Sequence, residues 1–279
     1  MIRIRILGSA AGGGLPQWNC SCPNCLAARA GQIASQTQSS IAVGTESGDW
    51  LLINASPDLA RQIESTPELQ PHRTQSRNTP ITGILLTNAD LDHAFGLLLM
   101  RQEQVPLIVY APEETQSALD WLEATLKPFR PLEWRKPSRN FQSLGKGIAY
   151  RAIPLCTSVA YQFRDEVSGA TALLAPSVGE FTEELRAAVN TSDVVGFDGT
   201  FWSEEELRGI RVGARTARQM NHLAIGEGSL DVLRGSPARR KFYVHINNTN
   251  PILMPGSEER RQVEEAGIEI ARDGLEIIL

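Results

Sequence analysis

The succession of apolar and polar positions predicts an α/β chain with its strands in two groups. Ile2 to Leu7 alternates isoleucine with arginine, the period of a half-buried strand. Ser40 to Val43 and Trp50 to Asn54 read as a hairpin pair joined through GTESGD. Asp58 to Ile63 reads as a short helix after the Ser56-Pro57 turn, and Gln70 to Pro80 as a polar loop. Ile81 to Thr87 (ITGILLT) and Leu107 to Tyr110 are short unbroken apolar runs, as in strands buried on both faces. Helices are expected from Leu97 to Arg101 and over Glu113 to Leu126. A second group of strands runs through Ile148 to Leu155, Gln162 to Arg164 and Thr171 to Ala175. A helix over Glu180 to Val189 then leads to an apolar strand, Asp193 to Phe197, that ends at Asp198. Glu204 to Gly209 and Gly228 to Arg234 are helical candidates, Lys241 to His245 is a last core strand, and Glu258 to Glu265 a last helix before Glu269 to Leu279 closes the chain.

There is no strict strand–helix–strand alternation, no repeat, no low-complexity tract and no linker. Such a pattern predicts two mixed sheets, each faced by helices. One domain over residues 1–279 is expected, with a cysteine-rich loop at 12–30 inside a longer glycine-rich stretch.

The charge balance narrows the function classes. A formal net charge of −5 leaves no general basic footprint for nucleic acid and no polybasic anchor for a membrane. No run approaches the ~18 apolar residues needed to span a bilayer. The arginines inside the first apolar run read as a strand and not as a secretory signal. A cytoplasmic protein is therefore expected.

Candidate chemistry collects where strands end. In LTNADLDHAFG, residues 86–96, a buried strand runs out at Thr87, and Asn88, Asp90, Asp92 and His93 follow before Gly96. Polar groups at the carboxyl ends of strands converge where ligands bind in α/β folds. Asp92 and His93 supply a hard oxygen and an imidazole nitrogen, both suited to a divalent first-row metal. By itself the stretch reads equally well as a capped helix start, with Asp90 or Asp92 as N-cap. The balance shifts because acid and imidazole recur. GFDGTFW puts Asp198 just past one apolar strand, and FYVHINNTNP puts His245 at the end of another. The chain has four histidines, and two of them stand at such strand ends.

These segments resemble the metallo-β-lactamase superfamily, and within it the pyrroloquinoline-quinone (PQQ) biosynthesis protein B branch. The likeness is carried by LGSAAGGGLPQWNCSCPNC, TQSSIAV, NASPDL, TNADLDHAFGLL, FDGTFW, and HINNTNP followed by SEER. It implies an αββα sandwich with an active-site metal on Asp92, His93, Asp198 and His245. The superfamily's hydrolases carry His-x-His-x-Asp-His, and here Asn88 and Asp90 stand in place of its first two histidines. The further histidine expected mid-chain is absent too, with Thr157 and Ser158 roughly at its place. The resemblance thus leaves one of the usual two metal sites. Two histidines with a carboxylate and open positions is the facial arrangement of non-haem Fe(II) oxygenases, whereas a two-metal hydrolytic clamp is hard to build here. The family likeness implies PQQ assembly: oxygenation of the tyrosine ring of a Glu-Tyr-derived precursor, with Fe(II) or another divalent metal and O₂. Two other readings are an accessory in transport of PQQ or its precursor to the periplasm, and a hydrolase of phosphodiesters or esters. A homodimer is admissible, and nothing in the sequence decides it.

The second constellation is Cys20-x-Cys22-x-x-Cys25. Three clustered thiols suit a tetrahedral structural zinc. A redox pair at Cys22 and Cys25, or free thiols, are the competing readings. By resemblance to related branches the fourth ligand falls three places after the last active-site histidine, at Asn248. The glycine run Gly8 to Gly14 lacks the lysine and the register of a phosphate loop and reads as a tight turn near the site. His222, in RQMNHLAI, reads either as a satisfied histidine or, by the resemblance, as a catalytic acid–base beside the metal, a role shared in expectation with Asp90. Asn88, Trp18, Trp202 and Ser56 are the expected substrate contacts, although core packing explains Trp202 equally well.

Overall fold

The computed structural model describes residues 1–45, 48–72, 76–103, 105–210 and 212–279. The centre of the expected hairpin turn, 46–47, and part of the polar loop, 73–75, lie outside the described residues. The first sheet uses β1 (Ile2–Gly8), β2 (Ser40–Thr45), β3 (Trp50–Ile53), β4 (Ile81–Leu85), β5 (Leu107–Tyr110) and β6 (Leu132–Arg135). The second uses β7 (Gln142–Ser143), β8 (Ile148–Pro154), β9 (Val159–Asp165), β10 (Thr171–Ala175), β11 (Val194–Asp198), β12 (Arg240–Val244) and β13 (Glu269–Ile270). The final strand, β14 (Glu276–Ile278), returns to the first sheet beside β1, so its order is β14-β1-β2-β3-β4-β5-β6. The second sheet runs β13-β12-β11-β10-β9-β8-β7. In both, antiparallel strands give way to a parallel set, β3 through β6 in one and β10 through β13 in the other.

Side-chain alternation divides the core into three layers. Ile2, Ile4 and Ile6 of β1, with Leu51 and Ile53 of β3, face Tyr161, Phe163, Phe242 and Val244 of the opposing sheet. The intervening residues Trp50 and Leu52 face outward, under α2 (Leu59–Glu64 after α1, Pro23–Arg29), α3 (Leu91–Ala94), α4 (Glu113–Ala118) and α5 (Asp120–Leu126). On the far side, Val195 and Phe197 of β11 and Tyr243 of β12 pack beneath α6 (Glu183–Thr191), α7 (Leu230–Gly235) and α8 (Glu258–Glu265). This is the expected αββα sandwich.

Four local expectations are corrected. The glycine-rich stretch is not loop throughout: Pro23 sits in the first turn of α1, where its missing N–H costs nothing, and Cys25 is carried on that helix. The helix expected from Leu97 begins earlier, at Leu91, and tightens to a 3₁₀ form over Phe95–Met100. Its cause is Gly96, where a β-carbon would sit 2.3 Å from the Ser56 carbonyl oxygen and whose N–H bonds the Ala55 oxygen at 2.8 Å. Glu204 to Gly209 forms turns, because its acids are engaged as acceptors: Glu206 takes the Trp202 N–H and Glu204 the Arg218 N–H. The expected helix Glu113 to Leu126 breaks in two at Leu119. Among the described residues no helix is long and apolar enough to cross a membrane.

Candidate metal centres

The carboxyl ends of the parallel strands β4, β11 and β12 meet at one rim of the sandwich. From β4 the chain passes Thr87 and Asn88 into α3, which carries Asp92 and His93. β11 ends in Asp198, and β12 delivers His245 directly after Val244. His245 has φ 59°, a left-handed backbone that few residues with a side chain adopt and that turns its ring off the strand. The Asp92 Oδ2 lies 3.1 Å from His245 Nε2 and 3.8 Å from His93 Nε2. One ligand atom each from Asp92, His93 and His245 fall within 4.8 Å of one another.

Hydrogen bonds fix which nitrogen each imidazole offers. His93 Nδ1 is 2.6 Å from the Asn88 amide oxygen, which can only accept, so Nδ1 carries the proton. The Asn88 amide is itself oriented by donating to Asp90 Oδ2 at 2.7 Å. Nε2 of His93 is thus left with its lone pair, fully buried and without a hydrogen-bond partner among the described residues. A buried polar atom with no partner costs free energy unless something ligates it. Thr200 Oγ stands 2.8 Å from His245 Nδ1 and 2.6 Å from Asp198 Oδ1. It accepts from the imidazole and donates to the carboxylate, so Nε2 of His245 faces Asp92. Burial pushes the His93 pKa down to about 4, which keeps the ring neutral. Burial is the largest influence on His245 and lowers its pKa, but the hydrogen bond to Asp92 and the charges of Asp92, Asp198 and Asp90 together raise it. Burial would raise Asp92, yet the two imidazoles draw it well below the usual carboxylate range. A metal bound here would take the place of the hydrogen bond between His245 Nε2 and Asp92. The donor set therefore fits a divalent ion held facially by two imidazoles and one carboxylate.

The expected quartet is corrected in one respect. Asp198 does not join Asp92 and His93 within that 4.8 Å limit; it forms a second trio with His222 and His245. Asp198 Oδ1 accepts from Thr200 N and Oγ, and Oδ2 accepts from Val178 N at 2.8 Å and His222 Nδ1 at 2.6 Å. Burial raises its pKa, and the His222 imidazole more than reverses this. Its lone pairs are engaged without a metal. His222 is buried, stacks on His245 with ring centres 5.3 Å apart, and presents Nε2 as its basic nitrogen.

The thiols form a separate centre at the same rim. The sulfurs of Cys20, Cys22 and Cys25 also lie within 4.8 Å of one another. The Asn248 amide nitrogen is 3.2, 3.6 and 3.3 Å from them. Amide oxygen and nitrogen exchange places by a half-turn, so the same side chain can face a cation with oxygen. Three sulfurs and one amide give the four positions a tetrahedral zinc requires. All the cysteines are free thiols. The fourth, Cys156, is exposed and far from the cluster in sequence.

Comparisons with known proteins show the family and the fold. The family model of the β-lactamase superfamily domain matches residues 49–246. Coenzyme PQQ synthesis protein B of Cupriavidus taiwanensis is 38% identical over the whole of both chains. The chain belongs to the coenzyme PQQ synthesis protein B family. A crystal structure of Zn²⁺-bound PqqB from Methylobacterium extorquens superposes with a TM-score of 0.90 at 35% identity, covering 99% of this chain and all of that one. A diphosphatase of the PhnP family shares the fold alone, with a TM-score of 0.76 at 19% identity over 100% of this chain and 98% of the other. The Cupriavidus alignment spans 309 positions against the 279 residues here, so 30 of its positions face gaps in this chain.

Several expected substrate contacts of the PqqB family member stand elsewhere. Ser56 is fully buried and bonds Gln62, so it supports the turn ahead of α2. Both ends of the Asn88 amide are committed to His93 and Asp90, which makes it a positioning group. Trp18 is 85% exposed on the cysteine loop and forms no pocket floor. Trp202 packs on Gly226, where a β-carbon would meet its ring at 3.0 Å. Asp90 is exposed and receives Asn88. Thr200, Thr87 and Gly12 were not anticipated individually. Thr200 follows Asp198 by two residues, so its place in GFDGTFW is the signal that could have found it. A side chain at Gly12 would come within 3.3 Å of the Asp92 carboxylate, which explains a glycine in that turn.

Proposed function

We propose that this chain carries out an oxygenation step of PQQ assembly, with a ferrous ion held by Asp92, His93 and His245. One observation carries the reading: the partnerless Nε2 of His93 converges with His245 Nε2 and one carboxylate, the donor set of non-haem iron oxygenases. The residues replacing the hydrolase histidines favour the same view. Asn88 is spent on orienting His93, Ser158 Oγ donates to the Ser177 carbonyl at 2.8 Å, and Thr157 meets Asn221. A second metal, needed for a hydrolytic clamp, finds few donors there.

Bound at these residues, the ion supplies activation of dioxygen beside a phenolic substrate. The protein's own groups orient and protect that chemistry. Asn88 and Thr200 hold the two imidazoles in the ligating tautomer. His222, pinned by Asp198, receives the substrate's proton at Nε2, as a carboxylate-oriented histidine does in hydrolytic triads. The net change is one oxygen atom placed on a ring C–H of the tyrosine-derived portion, the second leaving as water at the expense of a two-electron reductant. Zinc in the three cysteines and Asn248 is structural in this reading.

The test is anaerobic loading with Fe(II), then air and ascorbate with the Glu-Tyr-derived precursor. Oxygen uptake with a product one oxygen atom heavier is expected. An iron-loaded protein that consumes no oxygen, while its zinc or manganese form turns over a chromogenic phosphodiester, would return the site to hydrolysis.

A further inference from the structure

We propose that Arg215 is the specificity residue of the active-site cleft, binding a carboxylate of the substrate; this rests on the reading of the substrate as an amino-acid-derived phenol. A cleft of about 780 Å³ lies between the cysteine loop and the segment after Leu207. Gly12, one of its lining residues, lies against the Asp92 side chain. One wall is apolar, with Leu207, Ile210, Val212 and Met220. The facing wall is uncharged and polar, with Gln17, Asn19, Asn247 and Thr249. Cysteine thiols aside, Arg215 is the only ionisable side chain among the described residues that line it.

Arginines on a protein surface are mostly solvated or paired, and Arg215 is itself exposed. Arg208 is bonded to Glu205 and to the Ala214 oxygen. Arg215 has no ion pair or hydrogen-bond acceptor among the described residues. It also stands on fixed backbone. Thr216 and Ala217 beside it are buried, the Thr216 N–H donates to Gln219 and the Ala217 N–H to the Glu204 oxygen. A guanidinium presents a planar fork that matches a carboxylate with two parallel bonds. In a chain of net charge −5, with an acid against Gly12 of the cleft, one cation gives an anionic aromatic molecule both attraction and orientation. A ring laid on the apolar wall with its carboxylate at Arg215 is directed towards Gly12 and the metal residues. The single positive charge suits a carboxylate better than a doubly charged phosphate.

The test is equilibrium binding to zinc-loaded protein, where no oxygenation occurs. It therefore stays informative if the iron-oxygenase reading fails. The probes are L-3,4-dihydroxyphenylalanine and dopamine, which share the catechol and differ in the carboxylate. The expected result is about tenfold tighter binding of the carboxylate-bearing probe, a loss of this preference in Arg215→Gln, and partial return in Arg215→Lys. Arg208→Gln makes the same charge change outside the cleft lining and should leave the preference intact. Equal binding of both probes by the unmodified protein, or an unchanged preference in Arg215→Gln, would overturn the assignment. So would inorganic phosphate competing as strongly as acetate for the site.

Discussion

The two candidate metal centres lie at one rim of the same sandwich, yet they are built in opposite ways. The thiol centre takes three of its four donors from a span of six residues, Cys20 to Cys25, and borrows only Asn248 from afar. The imidazole centre takes Asp92 and His93 from the segment after β4 in one sheet and His245 from the end of β12 in the other, with Asp198 and His222 alongside. The first can assemble around an ion with little of the fold in place. The second exists only when both sheets have closed on each other. Their contact is the loop after β12: His245 serves one centre and Asn248, three residues later, the other. Asn250 fixes that loop by donating to the Gly199 oxygen at 2.9 Å. A structural ion at the thiols would anchor the segment that aims His245, and the dependence should then run in one direction.

Removing a ligand from each centre tests that asymmetry most sharply. His93→Ala or His245→Ala should abolish uptake of the active-site ion while one zinc per chain remains, as read by elemental analysis after dialysis. Loss of both ions together would mean the centres are one cooperative unit. Cys25→Ser should act the other way. It should release the structural zinc, lower the melting temperature by roughly 10 °C, and weaken the imidazole centre as well. If the Cys25 variant keeps full affinity at the imidazole centre, the loop does not transmit the anchor. Next in size is Asn88→Ala, which touches no metal. By freeing the His93 tautomer it should weaken active-site metal binding about 10–100-fold and leave the thiol centre unaltered, measurable by chelator competition.

The same contrast governs what could be read from the sequence. The thiol cluster was legible as a metal motif because its spacing is local. The strand-end acids and imidazoles were legible one by one, since apolar runs mark where each strand stops. What composition and periodicity could not give was the partition of those groups. Asp198 and Asp92 look alike as acids just past apolar strands, but backbone N–H groups from Val178 and Thr200 satisfy Asp198, whereas Asp92 faces the imidazoles of His93 and His245. Asn88 was misassigned to the substrate for a similar reason: an amide one turn from His93 in the chain faces whichever partner the backbone closes on it. Trp18 and Trp202 were placed by residue type, and their burial depends on contacts across the fold that no local pattern encodes. β6 and β7 went unseen because short, half-exposed edge strands carry little apolar signal.

The smallest effect concerns a group set between the two centres. Glu206 accepts from the Trp202 N–H at 2.7 Å on one side and from Thr249, the neighbour of Asn248, on the other. Burial pushes its pKa up to about 7, more than those hydrogen bonds pull it down. Its folded-state pKa lies above the unfolded value, so the folded chain holds the proton more tightly. That contribution is complete below the unfolded pKa near 4.5, declines as pH rises, and is gone once pH passes about 7. Glutamine copies the protonated form and cannot ionise. Glu206→Gln should therefore match the unmodified protein near pH 5 and exceed it at pH 8, by on the order of 2 kcal/mol. Urea unfolding at several pH values reads the difference directly. Parallel curves for the two proteins would mean that Glu206 titrates as an ordinary solvated acid. A divergence at high pH that comes with loosened thiol zinc would instead make this carboxyl a second mechanical link between the centres, beside the loop that carries His245 and Asn248.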